Sequence, residues 1–186
     1  MKKLKIAGIV IGAVFIIMII AMIILVVTVE NALNVDKGNA VVILPGAYPD
    51  SKKAIIVFQP SFGGATGIIA NEIGRGLNET GFEVMLNHPG EHLSNDLSDY
   101  DVIFFGSPVY AAQISDVLLD NMQRVTFSEN AKVILFITGL RSENELELMN
   151  DIPLNDVLYA KVKFYANDSG FVDAFNYARE ISKHRN

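Results

Sequence analysis

The sequence contains no cysteine. The chain therefore forms no disulfide, performs no thiol redox chemistry and ligates no iron–sulfur cluster through cysteine. Since a cysteine-free domain is stable on either side of a membrane, this absence leaves the compartment open. The sequence also has no internal repeat and no low-complexity tract, and a chain of 186 residues is expected to fold around one core.

Charged residues are absent from Ile6 to Val29. A helix of that length spans about 36 Å, against a hydrocarbon core of roughly 30 Å. A cleaved signal peptide is the alternative, but its apolar region has only about 7–15 residues, and no small-x-small cleavage motif follows Val29. The sequence favours an uncleaved anchor in membrane lipid, with residues 1–29 as one transmembrane segment.

The flanks of this segment differ in charge. Three lysines lie within the first five residues, whereas Glu30, Asp36 and a single Lys37 follow the segment. The positive-inside rule therefore predicts a single-pass protein of the cell membrane, with its N-terminus in the cytoplasm and the rest of the chain outside.

The formal net charge is −6, although the start of the chain is positive. The part beyond the apolar segment is therefore more acidic than the total. An acidic surface argues against nucleic acid as a partner and against electrostatic docking on anionic lipid.

Residues 30–51 are polar and contain Gly38, Pro45, Gly46 and Pro49, which predicts a linker. A short apolar run, Ala40–Leu44, interrupts the linker. It is either a strand at a sheet edge or a membrane-proximal segment that rests against the domain. From residue 52 to residue 186, β-branched or aromatic runs alternate with helical periodicities or polar turns. The runs are Ala54–Phe58, Glu83–Leu86, Val102–Phe105, Val133–Ile137 and Val157–Tyr165.

Most of these runs are continuously apolar, which is typical of strands buried on both faces of a parallel sheet. Helices must then cover both faces. Ser142 and Glu145 have capping-box spacing for one helix start. A final helix has an apolar stripe at Phe171, Ala174, Phe175, Ala178 and Ile181. The sequence predicts an α/β domain at 52–186, a three-layer, doubly wound, five-stranded parallel sheet preceded by one transmembrane helix.

A glycine-rich turn follows the first core strand in the segment IIVFQPSFGGATGIIANEIG, residues 55–74. No lysine or arginine lies between Lys53 and Arg75, which excludes the ATP/GTP phosphate loop, and the segment lacks G-x-G-x-x-G. Hydroxyls and free backbone N–H groups at a helix start hold a monophosphate without cationic side chains. An ordinary tight turn uses the same residues and is the alternative.

Three segments together resemble one known family. Ser61-Phe62-Gly63-Gly64-Ala65-Thr66 is similar to the phosphate loop (Ser/Thr)-x-Thr-Gly-x-(Ser/Thr) of the flavodoxin family, with Gly63 in place of the middle threonine. DYDVIFFGSPVYAAQIS, residues 99–115, resembles the segment that brings a third strand to the flavin edge, and KVILFITGL, residues 132–140, resembles the next strand and loop. The likeness extends from residue 52 to the C-terminus.

The resemblance implies that the domain binds FMN. By position, Ser61 to Thr66 (Ser61, Phe62, Gly63, Gly64, Ala65 and Thr66) would hold the phosphate. Ser107, Pro108 and Val109 would line the flavin ring, Tyr110 would stack on it, and Thr138 and Gly139 would form the second edge loop. The implied function is electron transfer between redox partners at the membrane, either a partner protein or a quinone.

Two other functions remain open. One is an FMN-dependent NAD(P)H:quinone-type reductase, and the other is a flavodoxin-fold scaffold that has lost FMN. Gly63, which removes one hydroxyl donor, and the predicted location outside the cytoplasm both favour the scaffold. Electron transfer by a bound flavin requires no catalytic acid or base from the protein, so no catalytic residue is predicted.

No metal site is predicted. His88 and His92 have the spacing of helical metal ligands, but Pro89 and Gly90 lie between them and break any helix, so a solvated loop is expected. His184 lies at the expected end of the last helix, where a cation suits the helix dipole. The acidic residues at 143, 145 and 147 are typical of a solvent-exposed helix face.

Overall fold

A six-stranded sheet forms the centre of the computed structural model, which describes residues 2–139, 143–150, 152 and 158–183. The strands are β1 (Val42–Leu44), β2 (Lys53–Phe58), β3 (Glu83–Asn87), β4 (Val102–Pro108), β5 (Lys132–Gly139) and β6 (Leu158–Tyr165). The helices are α1 (Lys2–Leu33), α2 (Ala65–Asn78), α3 (Asp116–Arg124) and α4 (Asp168–Lys183), and a 3₁₀ helix covers Glu143–Met149.

The strand order is β1-β3-β2-β4-β5-β6. All neighbouring strands are parallel except β1, which is antiparallel to β3 and places Val42 opposite Leu86. The order of β2 to β6 is that of a doubly wound flavodoxin-like sheet, whose connections change direction between β2 and β4. The predicted fold class is confirmed. The strand β1 is a sixth, antiparallel strand at the sheet edge. Of the two alternatives for the apolar run Ala40–Leu44, the edge strand is therefore the one that the structure shows.

The strands β4 and β5 are longer than the sequence predicts. They end at Pro108 and Gly139, because the two remain paired as far as Pro108 and Thr138. Polar residues and glycine at their ends carry no apolar signal, although the backbone continues to form ladder hydrogen bonds. The loops that follow therefore start further along the chain, at one edge of the sheet. Val157 and Ser142 lie outside the described residues.

Two apolar clusters cover the two faces of the sheet. On one face, Ile56, Phe104 and Phe136 pack with residues of α2 and α4, including Ile73 and Ala178. On the other face, the alternate strand residues pack with α3 and the 3₁₀ helix, among them Ile55, Phe105, Leu135, Leu118 and Met149. Successive strand residues point to opposite faces, so this alternation produces the three predicted layers.

Glycine is required at one position in the sheet interior. A Cβ at Gly106 in β4 would overlap the ring of Phe136 in the neighbouring strand β5. The missing side chain lets the aromatic ring fill the space above the strand, and Phe104 and Phe164 contact the same ring on either side.

The helix α1 differs from the others in its surroundings. Its apolar side chains from Ile9 to Val27 are exposed, whereas Ala32 and Leu33 at its end are buried against the domain. Among the described residues, Ile9–Leu33 is the one helical stretch long and apolar enough to cross a membrane. The helix continues beyond Val29, where the sequence predicts the end of the transmembrane segment.

Candidate functional site

A cavity of about 700 Å³ lies at the carboxyl ends of β2, β4 and β5. This is the edge at which the connections change direction, and ligands of doubly wound sheets bind there. The lining residues come from three loops, the 3₁₀ helix and the residue after β6: Ser61, Phe62, Gly63 and Ala65; Pro108, Val109, Tyr110, Ala111 and Ala112; Thr138 and Gly139; Glu145 and Leu148; and Ala166.

The predicted site residues fall into two groups. Nine line the cavity: Ser61, Phe62, Gly63, Ala65, Pro108, Val109, Tyr110, Thr138 and Gly139. The other three, Gly64, Thr66 and Ser107, lie outside the lining, and Thr66 and Ser107 are buried behind it. The three predicted segments thus converge on one cavity, although not every predicted side chain reaches its wall.

The first loop has the geometry of an anion site. The hydroxyl of Ser61 accepts a hydrogen bond from the backbone N–H of Thr66 at 3.0 Å, and this closes the loop over the start of α2. Within the described residues, the backbone N–H groups of Gly63, Ala65 and Gly67 donate to no acceptor. Unpaired N–H groups at a helix N-terminus attract anions, since they donate hydrogen bonds and add the positive end of the helix dipole.

Glycine has different roles at the two loop positions. Gly64 has φ of +77°, in the left-handed region that other residues rarely adopt, and it precedes the first turn of α2. A Cβ at Gly63 would meet no atom within 4 Å, so the position has open space beside it. The loop therefore requires glycine at 64 and has room for a side chain at 63.

The side chain of Thr66 faces the interior. It is fully buried, and its Oγ1 lies 2.6 Å from Oγ1 of Thr138 at the end of β5. The hydroxyl that the resemblance assigns to the phosphate thus joins two loops beneath the cavity. Ser61 supplies the hydroxyl on the wall of the first loop.

Tyr110 bridges the first and second loops. Its hydroxyl accepts a hydrogen bond of 2.8 Å from the backbone N–H of Phe62, and its ring lines the cavity. The two residues after it, Ala111 and Ala112, have φ of 50° and 59°. Left-handed conformations are unfavourable for alanine, so this tight turn stores strain beside the cavity.

Ser107 holds the second loop from behind. Its buried hydroxyl donates to the carbonyl oxygen of Pro108 at 2.8 Å and accepts from the backbone N–H of Ser115 at 2.9 Å. These bonds tie the start of the loop to its end at α3. Its role in the structure is to position the loop, while Pro108 and Val109 form the wall.

An ion pair between Glu145 and Lys163 lies beside the third loop of the cavity. The carboxylate of Glu145 packs against Gly139, where a Cβ would overlap it, and lies 2.5 Å from Nζ of Lys163. The two side chains are 14% and 3% exposed. The prediction that Glu145 lies on a solvent-exposed helix face is therefore wrong. Local sequence had no signal for the pair, because Lys163 belongs to a different element, the strand β6.

A cation lies near the first loop although the loop contains none. A second, smaller cavity of about 230 Å³ has Lys37 in its wall, together with Ser61 and Phe62 and the end of α1. Nζ of Lys37 donates to the carbonyl oxygen of Asn31 at 2.6 Å. Lys37 carried no local signal, because it precedes the loop by more than twenty positions and belongs to the segment predicted to be a linker.

The predicted histidine loop at residues 88–92 lies apart from the cavity lining. His92 is exposed and His88 is half-buried, with its ring at 5.2 Å from that of Phe58 in an edge-to-face arrangement. Among the described residues, no three histidine or carboxylate side chains cluster closely enough to hold a metal ion.

The chain has a flavodoxin-like fold. No protein-family model matches it, and no curated protein matches its sequence. It is similar to an archaeal flavodoxin, with 16% identity, a TM-score of 0.50 and coverage of 70% of this chain and 96% of that chain. It is also similar to the flavodoxin of Streptococcus pneumoniae, with 17% identity, a TM-score of 0.55 and coverage of 70% and 97%.

A further similarity is to the flavodiiron core of a Synechocystis protein, with 16% identity and a TM-score of 0.55. The match covers 73% of this chain and 36% of that protein, so the chain spans about a third of the flavodiiron core. At such identities the likeness establishes the fold alone, and any shared ligand must be argued from this chain's own residues.

Proposed function

We propose that the protein is a membrane-anchored flavodoxin-like domain that binds FMN and carries electrons between redox partners at the membrane. The observation that carries the proposal is the cavity at the change of strand direction. It combines an anion site of free N–H groups with apolar and aromatic walls. A phosphate joined to a flat, largely apolar ring system is the chemistry that such a cavity suits.

The phosphate group fits the first loop. Ser61, Gly63 and Ala65 line the cavity at the start of α2, and the free N–H groups of Gly63 and Ala65 lie there. The positive end of the α2 dipole stabilises an anion, and Lys37 adds a full charge nearby. In this proposal Thr66 and Gly64 do not contact the phosphate. The buried hydroxyl of Thr66 holds the loop to Thr138, and Gly64 supplies the left-handed backbone conformation before α2.

The ring system fits the other two loops. Pro108, Val109 and Tyr110 would face it from one side, and Thr138 and Gly139 would meet its edge. Ser107 would position the second loop through its buried hydrogen bonds. Apolar side chains exclude water from such a site, and an aromatic ring stacks favourably on another flat ring.

FMN supplies the redox chemistry when it is bound, and the protein binds, orients and shields it. Glu145 and Tyr110 are the titratable groups of the described cavity wall. Glu145 is engaged by Lys163, and the Tyr110 hydroxyl is bonded to the loop backbone. The described wall has no free acid–base pair, so the redox chemistry would rest on the flavin itself.

Anchoring in the membrane is part of the proposal. The membrane-crossing segment would be residues 1–29, and the domain would be residues 52–186. The linker between them, residues 30–51, contributes β1 to the sheet of the domain. The lysine-rich start would place the N-terminus in the cytoplasm and the domain outside. The end of α1 packs against the domain at Ala32 and Leu33, so one continuous helix would lead from the membrane segment into the domain.

The test is the absorption spectrum of the full-length chain in detergent, before and after FMN is added and the excess removed. Retained bands of oxidised flavin would support the proposal. The variant Ser61→Ala should weaken the retention of FMN. The control is Ser128→Ala, which should not affect FMN retention, because the carbonyl oxygen and the hydroxyl of Ser128 accept hydrogen bonds in a turn far from the cavity.

A folded chain that stays colourless with FMN would contradict the proposal and favour the scaffold function. Rapid oxidation of NADH or NADPH by the FMN-loaded chain would favour the reductase instead. Release of the chain from membranes by an alkaline wash would contradict the anchor, and protection of the domain from protease in intact cells would contradict its location outside.

A further inference from the structure

The end of α1 is seated in a set of buried polar side chains at the carboxyl edge of the sheet. We call Gln59, Asn87 and Ser115 the socket; they are 0%, 3% and 0% exposed. Gln59 follows β2, Asn87 ends β3, and Ser115 caps α3. They come from three separate elements and meet the same short segment of chain.

The socket bonds the backbone at and after the end of α1. Nε2 of Gln59 donates to the carbonyl oxygens of Ala32 at 2.9 Å and Val35 at 3.1 Å. Oγ of Ser115 donates to the carbonyl oxygen of Leu33 at 2.5 Å, and Oδ1 of Asn87 accepts from the backbone N–H of Ala40 at 2.9 Å.

These bonds make the junction specific. The last carbonyl groups of a helix have no partner within it, and here the domain supplies two of the missing donors. The side chain of Leu33 is fully buried as well. The carbonyl oxygens of Ala32 and Leu33 accept from Gln59 and Ser115, so loss of the end of α1 would remove both acceptors and expose the surface that Leu33 covers. The helix end is therefore a packed part of the domain and not a free tether.

The helix leaves the domain at this edge. Its apolar side chains from Ile9 to Val27 are exposed, so contact with the domain is confined to the last turns. The uncharged stretch Ile6–Val29 would span about 36 Å, enough to cross a hydrocarbon core of roughly 30 Å. The lipid boundary then falls near Val27 and Thr28, and Thr28 lines the smaller cavity together with Ser61 and Phe62.

The side chain of Phe62 extends from the first loop at this level and is 79% exposed. Aromatic side chains are favoured at the membrane–water interface, where their rings enter the headgroup layer. Phe62 also lines the larger cavity, so the same residue lies at the proposed cofactor site and beside the end of α1.

We propose that the socket holds the carboxyl edge of the sheet against the bilayer that α1 crosses, with Phe62 in the headgroup layer and the mouth of the larger cavity at the lipid surface. The inference rests on the anchoring part of the proposed function and not on FMN. It deepens that function, because a redox partner must then reach the cavity along the lipid surface or from within the lipid.

The absence of cysteine allows a direct test with the full-length chain. Phe62→Cys and Tyr48→Cys each introduce one site for an environment-sensitive fluorophore. Tyr48 is a matched control, 73% exposed, in the loop between β1 and β2 at the opposite edge of the sheet. The chain is reconstituted in phosphatidylcholine vesicles that contain a lipid with a quencher on its headgroup.

Quenching several-fold stronger at position 62 than at position 48 is the expected result. In the Phe62→Cys chain, the added substitutions Gln59→Leu and Ser115→Ala should reduce quenching toward the level at position 48, with circular dichroism showing that the domain stays folded. Equal quenching at both positions, or none at position 62, would overturn the inference.

The vesicles also separate this inference from the proposed function. If an alkaline wash removes the chain, the anchor fails and the inference fails with it. If the chain is retained and the two positions are quenched equally, the docked orientation alone is wrong. FMN binding is measured separately by absorbance and does not affect the quenching comparison.

Discussion

The hydroxyl oxygens of Thr66 and Thr138 lie 2.6 Å apart in the interior of the protein. Both side chains are buried, so the bond links the start of α2 to the end of β5 without contact with solvent. Two of the three loops that shape the larger cavity are therefore joined from beneath. The resemblance to flavodoxins assigns Thr66 to the phosphate, whereas the structure gives its hydroxyl a partner in the protein.

Replacing Thr66 with valine should destabilise the protein. The change keeps the shape, removes the bond and leaves the buried Thr138 hydroxyl without this partner, at a cost of about 1–3 kcal/mol. Chemical denaturation measures the loss. Thr138→Val should cost a similar amount, and the double variant should cost less than the sum. FMN affinity should fall less than in Ser61→Ala; a Thr66→Val protein of unchanged stability that retains no FMN would refute this assignment.

Restoring the threonine of the flavodoxin loop should tighten FMN binding. Gly63→Thr adds a hydroxyl donor where a Cβ meets no neighbour within 4 Å. A hydrogen bond to a charged group contributes about 1.5–3 kcal/mol, so the dissociation constant should fall by roughly tenfold or more. Gly64→Thr is the control, and its φ of +77° should make threonine strained and binding weaker. Weaker binding by Gly63→Thr would show that the phosphate lies elsewhere.

Removing the ring of Tyr110 should weaken FMN binding more than removing its hydroxyl. Tyr110→Ala loses a ring–ring contact of about 0.5–1.5 kcal/mol in addition to buried apolar area, which corresponds to about tenfold or more in affinity. Tyr110→Phe keeps the ring and loses only the bond to the Phe62 N–H. Titration of FMN fluorescence gives both affinities. Equal affinities for the alanine and phenylalanine variants would exclude stacking.

Stability should fall on acidification through the titration of His88. Burial is the main cause that lowers its pKa in the folded protein, while backbone carbonyls at Gly38 and Lys37 and the charge of Asp36 oppose the shift and His92 adds to it. With the folded pKa below the unfolded one, the stabilisation is complete above about pH 6.5 and is lost as the pH falls toward the folded pKa.

The measurement is the unfolding free energy at pH 7.5 and pH 5.5 for the native chain and for His88→Gln. The native chain should lose more stability than the variant over this interval, since glutamine takes up no proton. The exposed Asp96, whose pKa is lowered by bonds from Ser98, titrates below this window. Identical losses in the two proteins would assign the pH dependence to other groups.

A methyl group at Gly106 should disrupt the sheet interior. Gly106→Ala places a Cβ against the ring of Phe136, which is closely packed between neighbouring strands. Overpacking of this kind costs about 1–3 kcal/mol or more. Gly63→Ala, at an open and exposed position, should change stability little. Thermal unfolding compares the two; a Gly106→Ala chain as stable as Gly63→Ala would mean that Phe136 moves aside without cost.

The fold class was predictable because its signals are local. Continuous apolar runs such as Ala54–Phe58 mark strands buried on both faces, and right-handed connections leave few arrangements for five of them. The convergence of the three loops on one cavity follows from the same topology, since the ends of neighbouring parallel strands meet at one edge. The residues of the first loop are contiguous, so a short pattern was enough to locate it.

The orientation of individual side chains was not predictable in this way. Thr66 fits the phosphate pattern by its position, but its contact with Thr138 joins residues 72 positions apart. The pairing of Glu145 with Lys163 likewise brings together two elements whose charges, taken singly, suit a solvated surface. No local periodicity distinguishes a hydroxyl that faces a cavity from one that faces the core.

By itself the sequence determined five of the strands, their parallel arrangement and the presence of a long apolar helix, because each is written in the spacing of apolar residues along the chain. The tertiary structure alone decided that Val42–Leu44 joins the sheet and that α1 ends in the socket. The bond between Ser115 and Leu33 spans 82 positions. Such contacts depend on which polar groups the fold buries together, and burial is a property of the packed molecule.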